Sequence, residues 1–407
     1  SGKYAPRTGN GVYNVNGLNR GSGTPILVGP SQNEDVPTST HTMAEMLKDA
    51  GYVTVHIGKY HVGGHEGGSA TLPLGQGFDY NYGGTSIGNP GNYFASSSGV
   101  FHNNVGPELD AYGLPYTTTY INDTLVPIRN GNNPSTLDGT NKHLADAEAD
   151  AAIDFMNQHR AGDKSDYPFY IQFHSYAVHT PTQPRTDLSA KYTGQEGTVH
   201  DSTSYAGLVE GLDQSVGRIL NYLDAEGLST NTVVIFFSDN GGHEGPTDNA
   251  PLRSRKGSFY EGGIRVPMIV RGPGIEAGSV FSENVVNYDF LPTFVQWAGG
   301  DPKSLKDVDG VSLADFMRGT RPSEDFCSRR LYFHYPHYRT SMPHSAVVSD
   351  RRKVIHFYER PDISMLFDLA TDEAEVVNLA AKNPEEHETL FGEMMGYFER
   401  VLSLIHI

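Results

Sequence analysis

The chain has 407 residues, enough for one large α/β domain and a smaller one, and 37% of them are hydrophobic. Acidic residues number 48 against 30 basic ones, and the formal net charge of −18 argues against nucleic acid and anionic membrane surfaces as partners. The only cysteine, Cys327, rules out an intrachain disulfide and a cysteine metal cluster, and no apolar run approaches the roughly 20 residues that a membrane span needs.

Residues 1–40 are rich in Gly, Asn, Pro and Ser and read as surface loop. The opening at Ser1, within a loop-like sequence, looks cut, so a targeting segment is expected to have preceded it. Residues 42–50 predict a short helix with Met43, Met46 and Leu47 on one face and Gly51 just past its end. The alternation of Val53, Val55 and Ile57 then predicts a strand. A helix followed closely by a strand suits a parallel α/β sheet. That strand runs out into Gly58-Lys59-Tyr60-His61-Val62-Gly63-Gly64. On an extended segment, Lys59 and His61 would share a side and face one cleft. A lone histidine is more often structural, so His61 needs companions.

Residues 65–138 hold few periodic runs and are expected to form short strands and loops walling a site. Residues 141–159 read as a helix through Leu144, Ala145, Ala149, Ala152, Ile153 and Met156. Residues 168–174 read as a buried strand. The polar loop after it, 175–181, carries His179 just before Thr180-Pro181, which favours an extended, rigid backbone. His174 is the alternative functional histidine, or both are structural. Residues 200–227 form the clearest amphipathic helix, ended by Gly227, and its stripe is core.

The run Val233 to Phe237 predicts a strand buried on both faces. It stops at Ser238-Asp239-Asn240-Gly241-Gly242, which puts a carboxylate and a carboxamide at the carboxyl end of a core strand, where open α/β sheets bind ligands. Such oxygens suit a hard cation, Ca²⁺ or Mg²⁺, although Asp-Asn-Gly-Gly is also ordinary turn chemistry. Lys256 follows in a glycine-flanked loop, and a cation site beside a lysine suggests chemistry on an anion. Residues 261–267 lead into a strand at 268–270, and residues 288–298 form a further helix. Beyond about residue 300, four short strands at 331–334, 345–348, 353–358 and 365–369 suggest a small antiparallel sheet, closed by a helix at 383–402. The last residues break that helix's pattern and read as a non-native tail. The expected fold is α/β, a large mostly parallel sheet flanked by helices, with a smaller C-terminal α+β subdomain on a short antiparallel sheet. The expected boundary near Pro322 divides a catalytic domain, 1–322, from the subdomain, 323–407.

Four elements resemble the sulfatase family, in order. Gly58-Lys59-Tyr60-His61-Val62-Gly63 is similar to its Gly-Lys-Trp-His-Leu-Gly segment, with Tyr60 for tryptophan. Val178-His179-Thr180-Pro181 resembles its Pro-His-x-Pro loop, with Val178 for proline. Ser238-Asp239-Asn240-Gly241-Gly242 resembles its metal-binding Asp-Asn segment, and Lys256-Gly257 with Tyr260 through Pro267 resembles its lysine and Glu-Gly-Gly-x-Arg-x-Pro stretch.

The resemblance implies that Asp239 and Asn240 bind Ca²⁺, with Mg²⁺ the lesser candidate. It implies that Lys59, His179 and Lys256 hold the sulfate oxygens and that His61 hydrogen-bonds the nucleophile. In sulfatases the nucleophile is a formylglycine hydrate made from a Cys/Ser-x-Pro-x-Arg segment; its gem-diol attacks sulfur, and the aldehyde re-forms as sulfate leaves. This sequence lacks such a segment. In the family it precedes a stretch that Ser1 to Gly9 resembles, so the nucleophile and the first Asp pair of the metal site are expected upstream, and this polypeptide alone is expected to be inactive. The expected substrate is a small-molecule or glycan sulfate ester, and the expected location is the periplasm or the medium of a bacterium. The competing readings are a phosphomonoesterase or phosphodiesterase of the same alkaline-phosphatase-like superfamily and a non-catalytic binder of sulfated glycans. Candidate rim residues are His243, Glu244, Arg253, His334, His337 and Arg339, and Tyr80, Tyr82, Tyr93, Phe94, Tyr112 and Tyr116 are candidate stacking surfaces.

Overall fold

The computed structural model describes residues 1–4, 7, 34–129, 133–197, 202–336, 338 and 341–401. They fall into two compact units, Pro37–Val233 and a second made of Ser1–Val36 with Val234–Ile407.

In Pro37–Val233, helix α1 (Met43–Asp49) starts on a capping box, in which the Thr42 hydroxyl accepts the Glu45 amide and the Glu45 carboxylate accepts the Thr42 amide. Gly51, at φ 88°, turns the chain into strand β1 (Val53–Gly58), all of whose residues are buried. β1 is the middle of a parallel sheet of order β2-β1-β3, with β2 at Tyr80–Tyr82 and β3 at Phe169–His174. The register pairs Val53 with Phe169 and Gly58 with His174, so β1 and β3 end level. Expected as buried, β3 is half-buried along its length and exposed at His174. Its one ladder neighbour among the described residues is β1, so its outer side chains have no second row to pack against.

Two helices support this sheet unit. Helix α2 (Leu144–Ala161) starts where the His143 ring accepts the Ala145 amide, three residues after the expected start. Helix α3 (Thr203–Ala225) packs on it and stops before Gly227, whose φ of 69° closes it as expected. Leu144, Ala147 and Ala151 share a core with Leu208, Tyr93 and Tyr176. Buried Asp146 is paired with Arg185 at 3.0 Å and accepts from the Tyr116 hydroxyl at 2.5 Å. Between β2 and α2 the chain forms short helical turns and loops. Two candidate stacking residues there, Tyr93 and Tyr116, are core side chains, 0% and 2% exposed.

In the second unit, strand β4 (Val234–Phe237) pairs antiparallel with β5 (Met268–Arg271). The expectation of a strand buried on both faces fails here, because Phe236 is 37% and its partner Ile269 65% exposed. A two-stranded ribbon gives each strand one flank only. Helix α4 (Phe290–Trp297) follows. Strands β6 (Arg330–Tyr335), β7 (His344–Ser349), β8 (Arg352–Phe357) and β9 (Ser364–Asp368) form an antiparallel sheet in sequence order, as their turn signals require. Helix α5 (Pro384–Arg400) covers it with Leu390, Met394, Tyr397 and Phe398 against Val347, Val354 and Leu366. The expected α/β class, with a parallel sheet and helices and a C-terminal antiparallel sheet, is what the chain adopts. Most of the loop expected at 1–40 and all of the tail at 402–407 lie outside the described residues. No helix among the described residues is long and apolar enough to cross a membrane.

Candidate active site

Within Pro37–Val233, the level ends of β1 and β3 decide which residues meet. Gly58 faces His174 so closely that a β-carbon on Gly58 would stand 2.2 Å from the His174 carbonyl oxygen, and the Lys59 amide donates to that oxygen at 2.7 Å. The Lys59-Tyr60-His61 turn and the 175–181 loop therefore leave from one edge of one sheet. Tyr60 turns inward, its ring edge-on to buried His56 at 5.1 Å. Burial, and next the neighbouring His174, push His56 down to about 3, so it stays neutral at ordinary pH.

His61 departs from the extended geometry expected of it. Its φ is 63°, in the left-handed region, and its amide donates to the Thr85 carbonyl at 3.0 Å. The i and i+2 rule for a strand therefore does not describe Lys59 and His61. The His61 ring lies directly on Gly88, where a β-carbon would come within 2.1 Å of its Cε1 and Nδ1.

His179 is half-buried, and its amide donates to the Tyr176 carbonyl at 2.9 Å. The hydroxyl of fully buried Tyr93 donates to the carbonyls of both Tyr176 (2.6 Å) and His179 (2.9 Å). His179 Nδ1 lies 2.8 Å from the Thr180 carbonyl oxygen, a bond that requires the proton on Nδ1. Beneath this loop, Glu148 of α2 is 0% exposed and accepts from Ser175 Oγ and the Tyr176 amide. His174, the alternative histidine, meets His56 edge-on at 5.6 Å.

In the second unit, Asp239 and Asn240 sit in the turn after β4, with Asp239 exposed and Asn240 half-buried. Asn240 Nδ2 donates to the Gly241 carbonyl at 2.9 Å, which commits the amide nitrogen and leaves its oxygen as the ligand-type atom. The turn is interlocked with two later segments. Gly241 N donates to Gly263 O at 3.0 Å, and Lys256 N donates to Gly242 O at 3.0 Å. The Asn249 side chain closes the turn, receiving Gly242 N at 2.9 Å and donating to Gly242 O at 3.2 Å. Lys256 and the Asp-Asn turn are thus tied through one glycine carbonyl.

Glu261, at the head of the Gly262-Gly263 turn, is held by fully buried Lys353 at 2.7 Å; Lys353 also pairs with buried Glu375 at 2.9 Å. Burial raises the Glu375 carboxyl, and Lys353 opposes that rise. Among the described residues, no group of three or more His, Cys, Asp or Glu side chains is arranged to hold a metal ion. Asp239 and Asn240 fit a hard cation by donor chemistry and supply two adjacent oxygens of the six to eight that calcium takes.

The rim candidates separate. His243 is exposed, with Nδ1 2.6 Å from Glu244 O, and Glu244 pairs with Arg255. Arg253 donates to Glu375 O at 2.7 Å and lies 4.1 Å over the Tyr260 ring, so it braces the turn. His334 is packed in the C-terminal sheet, stacked on Phe398 at 4.3 Å and bonded to Ser345 Oγ at 2.6 Å. His337 and Arg339 lie outside the described residues. Sequence reasoning missed Glu148, Gly88 and Lys353, and named Tyr93 only as a stacking surface. Glu148 did leave a trace, a carboxylate four residues from both Leu144 and Ala152 on the apolar helix face.

Comparison with known proteins decides the family. The sulfatase family model matches residues 7–300, and a second model, the C-terminal region of N-sulphoglucosamine sulphohydrolase, matches residues 255–400. The chain belongs to the sulfatase family. Among its sulfatase relatives, one from Formosa agariphila is 38% identical over 95% of this chain and 74% of its own length. The N-acetylgalactosamine-6-sulfatase of Canis lupus familiaris is 30% identical over 76% of this chain, which spans about half (54%) of that sulfatase. The crystal structure of Ps i-CgsB in complex with k-i-k-neocarrahexaose superposes with a TM-score of 0.70 at 24% identity, covering 97% of this chain and 79% of that one. BT4656, solved in complex with its substrate D-glucosamine-2-N,6-O-disulfate, gives 0.65 at 19%, covering 90% and 83%. At these identities the two structures establish the sulfatase fold alone.

Proposed function

We propose that this protein is a sulfuric ester hydrolase, with a sulfated carbohydrate as its substrate class. The observation that carries the reading is the main-chain hydrogen bond from Lys256 N to Gly242 O, which sets the Lys256 backbone beside the Asp239-Asn240 turn. Lys59 and His179, leaving one sheet edge, support it. The glycan part rests on the relatives, whose names and bound ligands are amino-sugar and carrageenan sulfates.

Sulfate transfer spreads negative charge over the equatorial oxygens, and fixed cations stabilise that charge most where water is excluded. The resemblance to sulfatases assigns Lys59, His179 and Lys256 to those oxygens. His61, held on Gly88, hydrogen-bonds the nucleophile. A calcium ion held by Asp239 and Asn240 would add positive charge against the same oxygens. The nucleophile expected for the family is formylglycine, and the 407 residues contain no Cys/Ser-x-Pro-x-Arg segment from which to make it. This polypeptide by itself is therefore expected to bind sulfate esters without turnover. Glycan substrates of this size are met outside the cytoplasm, and we assign the protein to the periplasm or medium of a bacterium.

The test is sulfate release from an aryl sulfate and from sulfated galacto-oligosaccharides, with phosphate esters in parallel. It is run on the 407-residue chain and on the gene product extended by any coding sequence upstream of Ser1. Sulfate release by the extended product supports the proposal. Phosphate release in its place assigns the protein to phosphoesterases, and glycan binding without turnover by the extended product makes it a binding protein. Turnover by the 407-residue chain removes the expectation about the nucleophile.

A further inference from the structure

Among the described residues of the Pro37–Val233 unit, Glu148 is a fully buried carboxylate that touches both the end of β1 and the 175–181 loop. Its Oε2 accepts from Ser175 Oγ at 2.6 Å and its Oε1 from the Tyr176 amide at 3.1 Å. Ser175 Oγ in turn accepts the Ala177 amide at 3.2 Å, and the Tyr176 carbonyl accepts the His179 amide at 2.9 Å. Two hydrogen-bonded steps therefore lead from the carboxyl to His179. On its other side, Oε1 would lie 2.9 Å from a β-carbon at Gly58, so only a glycine lets the end of β1 pass over the carboxyl on its way to Lys59.

We propose that Glu148 is a positioning residue, holding the Lys59 end of β1 and the His179 loop in fixed relation through one buried carboxyl group. The proposal rests on the sulfatase reading above for what those two residues bind. The groups facing the carboxyl are Ser175 Oγ and the Tyr176 amide from the loop, the Gly58 backbone from β1, and the phenols of Tyr176 and Tyr93. All are uncharged. Burial raises the Glu148 carboxyl to about 7, against the smaller lowering by Ser175 and Tyr176. Opening the loop hydrates the carboxyl and returns it toward its ordinary, lower value, so the loop is held tighter below about 7 than above it.

The test is hydrogen exchange of the 175–180 amides, corrected for intrinsic rates, across about pH 5.5 to 8.5, a window centred on ionisation at about 7. The wild-type chain is expected to lose about tenfold protection with rising pH, the change that a one-unit difference in the carboxyl's hold on its proton between closed and open loop produces. Glu148→Gln, an isosteric neutral group, is expected to abolish the step. Ser175→Ala keeps the carboxyl and removes one donor, so it is expected to move the midpoint upward; it also serves if Glu148→Gln does not fold. Affinity for an aryl sulfate is measured alongside. A wild-type step absent, or present unchanged in Glu148→Gln, overturns the positioning role. A step that behaves as expected in a chain that binds no sulfate ester leaves the positioning role standing and overturns the sulfatase reading.

Discussion

Gly241 and Gly262 meet backbone to backbone, so that a β-carbon on Gly241 would stand 1.8 Å from the Gly262 carbonyl oxygen. This contact seats the Asp239-Asn240 turn on the Glu261-Gly262-Gly263 turn and accounts for glycine at 241; at Gly262 a β-carbon would instead meet the Ser254 and Arg253 carbonyl oxygens at 2.4 and 2.5 Å. Gly241→Ala must push the two turns apart, at a cost of about 3 kcal/mol by the usual scale of overpacking. A lowered thermal midpoint, with calcium affinity weakened more than tenfold in a titration of the purified protein, is the expected outcome. Unchanged calcium affinity would separate the metal from this turn.

Gly88 stands to His61 as Gly241 stands to Gly262. Gly88→Ala drives a methyl group into the imidazole, and His61, on a left-handed backbone, has to rotate away. Removing a positioned proton-transfer or hydrogen-bonding group costs about 10²-fold or more in rate. In the catalytically complete gene product, kcat should fall by that order with little change in KM. A spectrum of the His61 Cε1 proton identical in both proteins would show that the ring had not moved.

Lys353 neutralises two carboxylates at once, Glu261 and Glu375, with its own side chain 0% exposed. Lys353→Met leaves Glu375 buried without a cation and Glu261 with only Arg265, 4.0 Å away, a change worth about 3–5 kcal/mol. Glu375→Gln leaves a one-to-one pair and should be milder. Chemical denaturation of both variants tests that order, and the reverse order would mean that Glu375 is the indispensable member.

The stability of the protein should carry the signature of Glu148. Its carboxyl is raised from 4.5 to about 7 on folding, so the folded state binds the proton more tightly than the unfolded state between those limits. This contribution to stability is present below the lower value and is lost as pH rises to the upper one. Glu148→Gln does not titrate, so its stability relative to wild type should increase over that interval, by about 3 kcal/mol in total. Paired denaturation curves at the two ends of the interval measure it. A difference that is constant with pH would mean that Glu148 ionises normally.

Much of this protein could be read from local pattern. The alternation of Val53, Val55 and Ile57 placed β1, and with it the Lys59-His61 turn at a carboxyl strand end. Turn signals separated the four strands of the C-terminal sheet to within one or two residues of their observed ends. The motif residues Lys59, His179, Asp239 and Asn240 stood out because each follows an apolar run, which announces itself through its neighbours in sequence, and Lys256 stood out only by its glycine-flanked loop.

What the sequence by itself determined, then, is the set of elements and the chemistry at their ends, since both depend on periodicity and residue type over a few positions. Tertiary structure alone decided that β1 and β3 end level, that β4 runs antiparallel to a single partner, and that His61 takes a left-handed backbone. It alone decided the supporting roles as well. Glu148 acts across 27 residues on Ser175, and Lys353 across 92 on Glu261. The physical reason is that burial of a charge, and the closeness of two glycines, are properties of what packs against a residue, and no local pattern carries the identity of a partner so far along the chain.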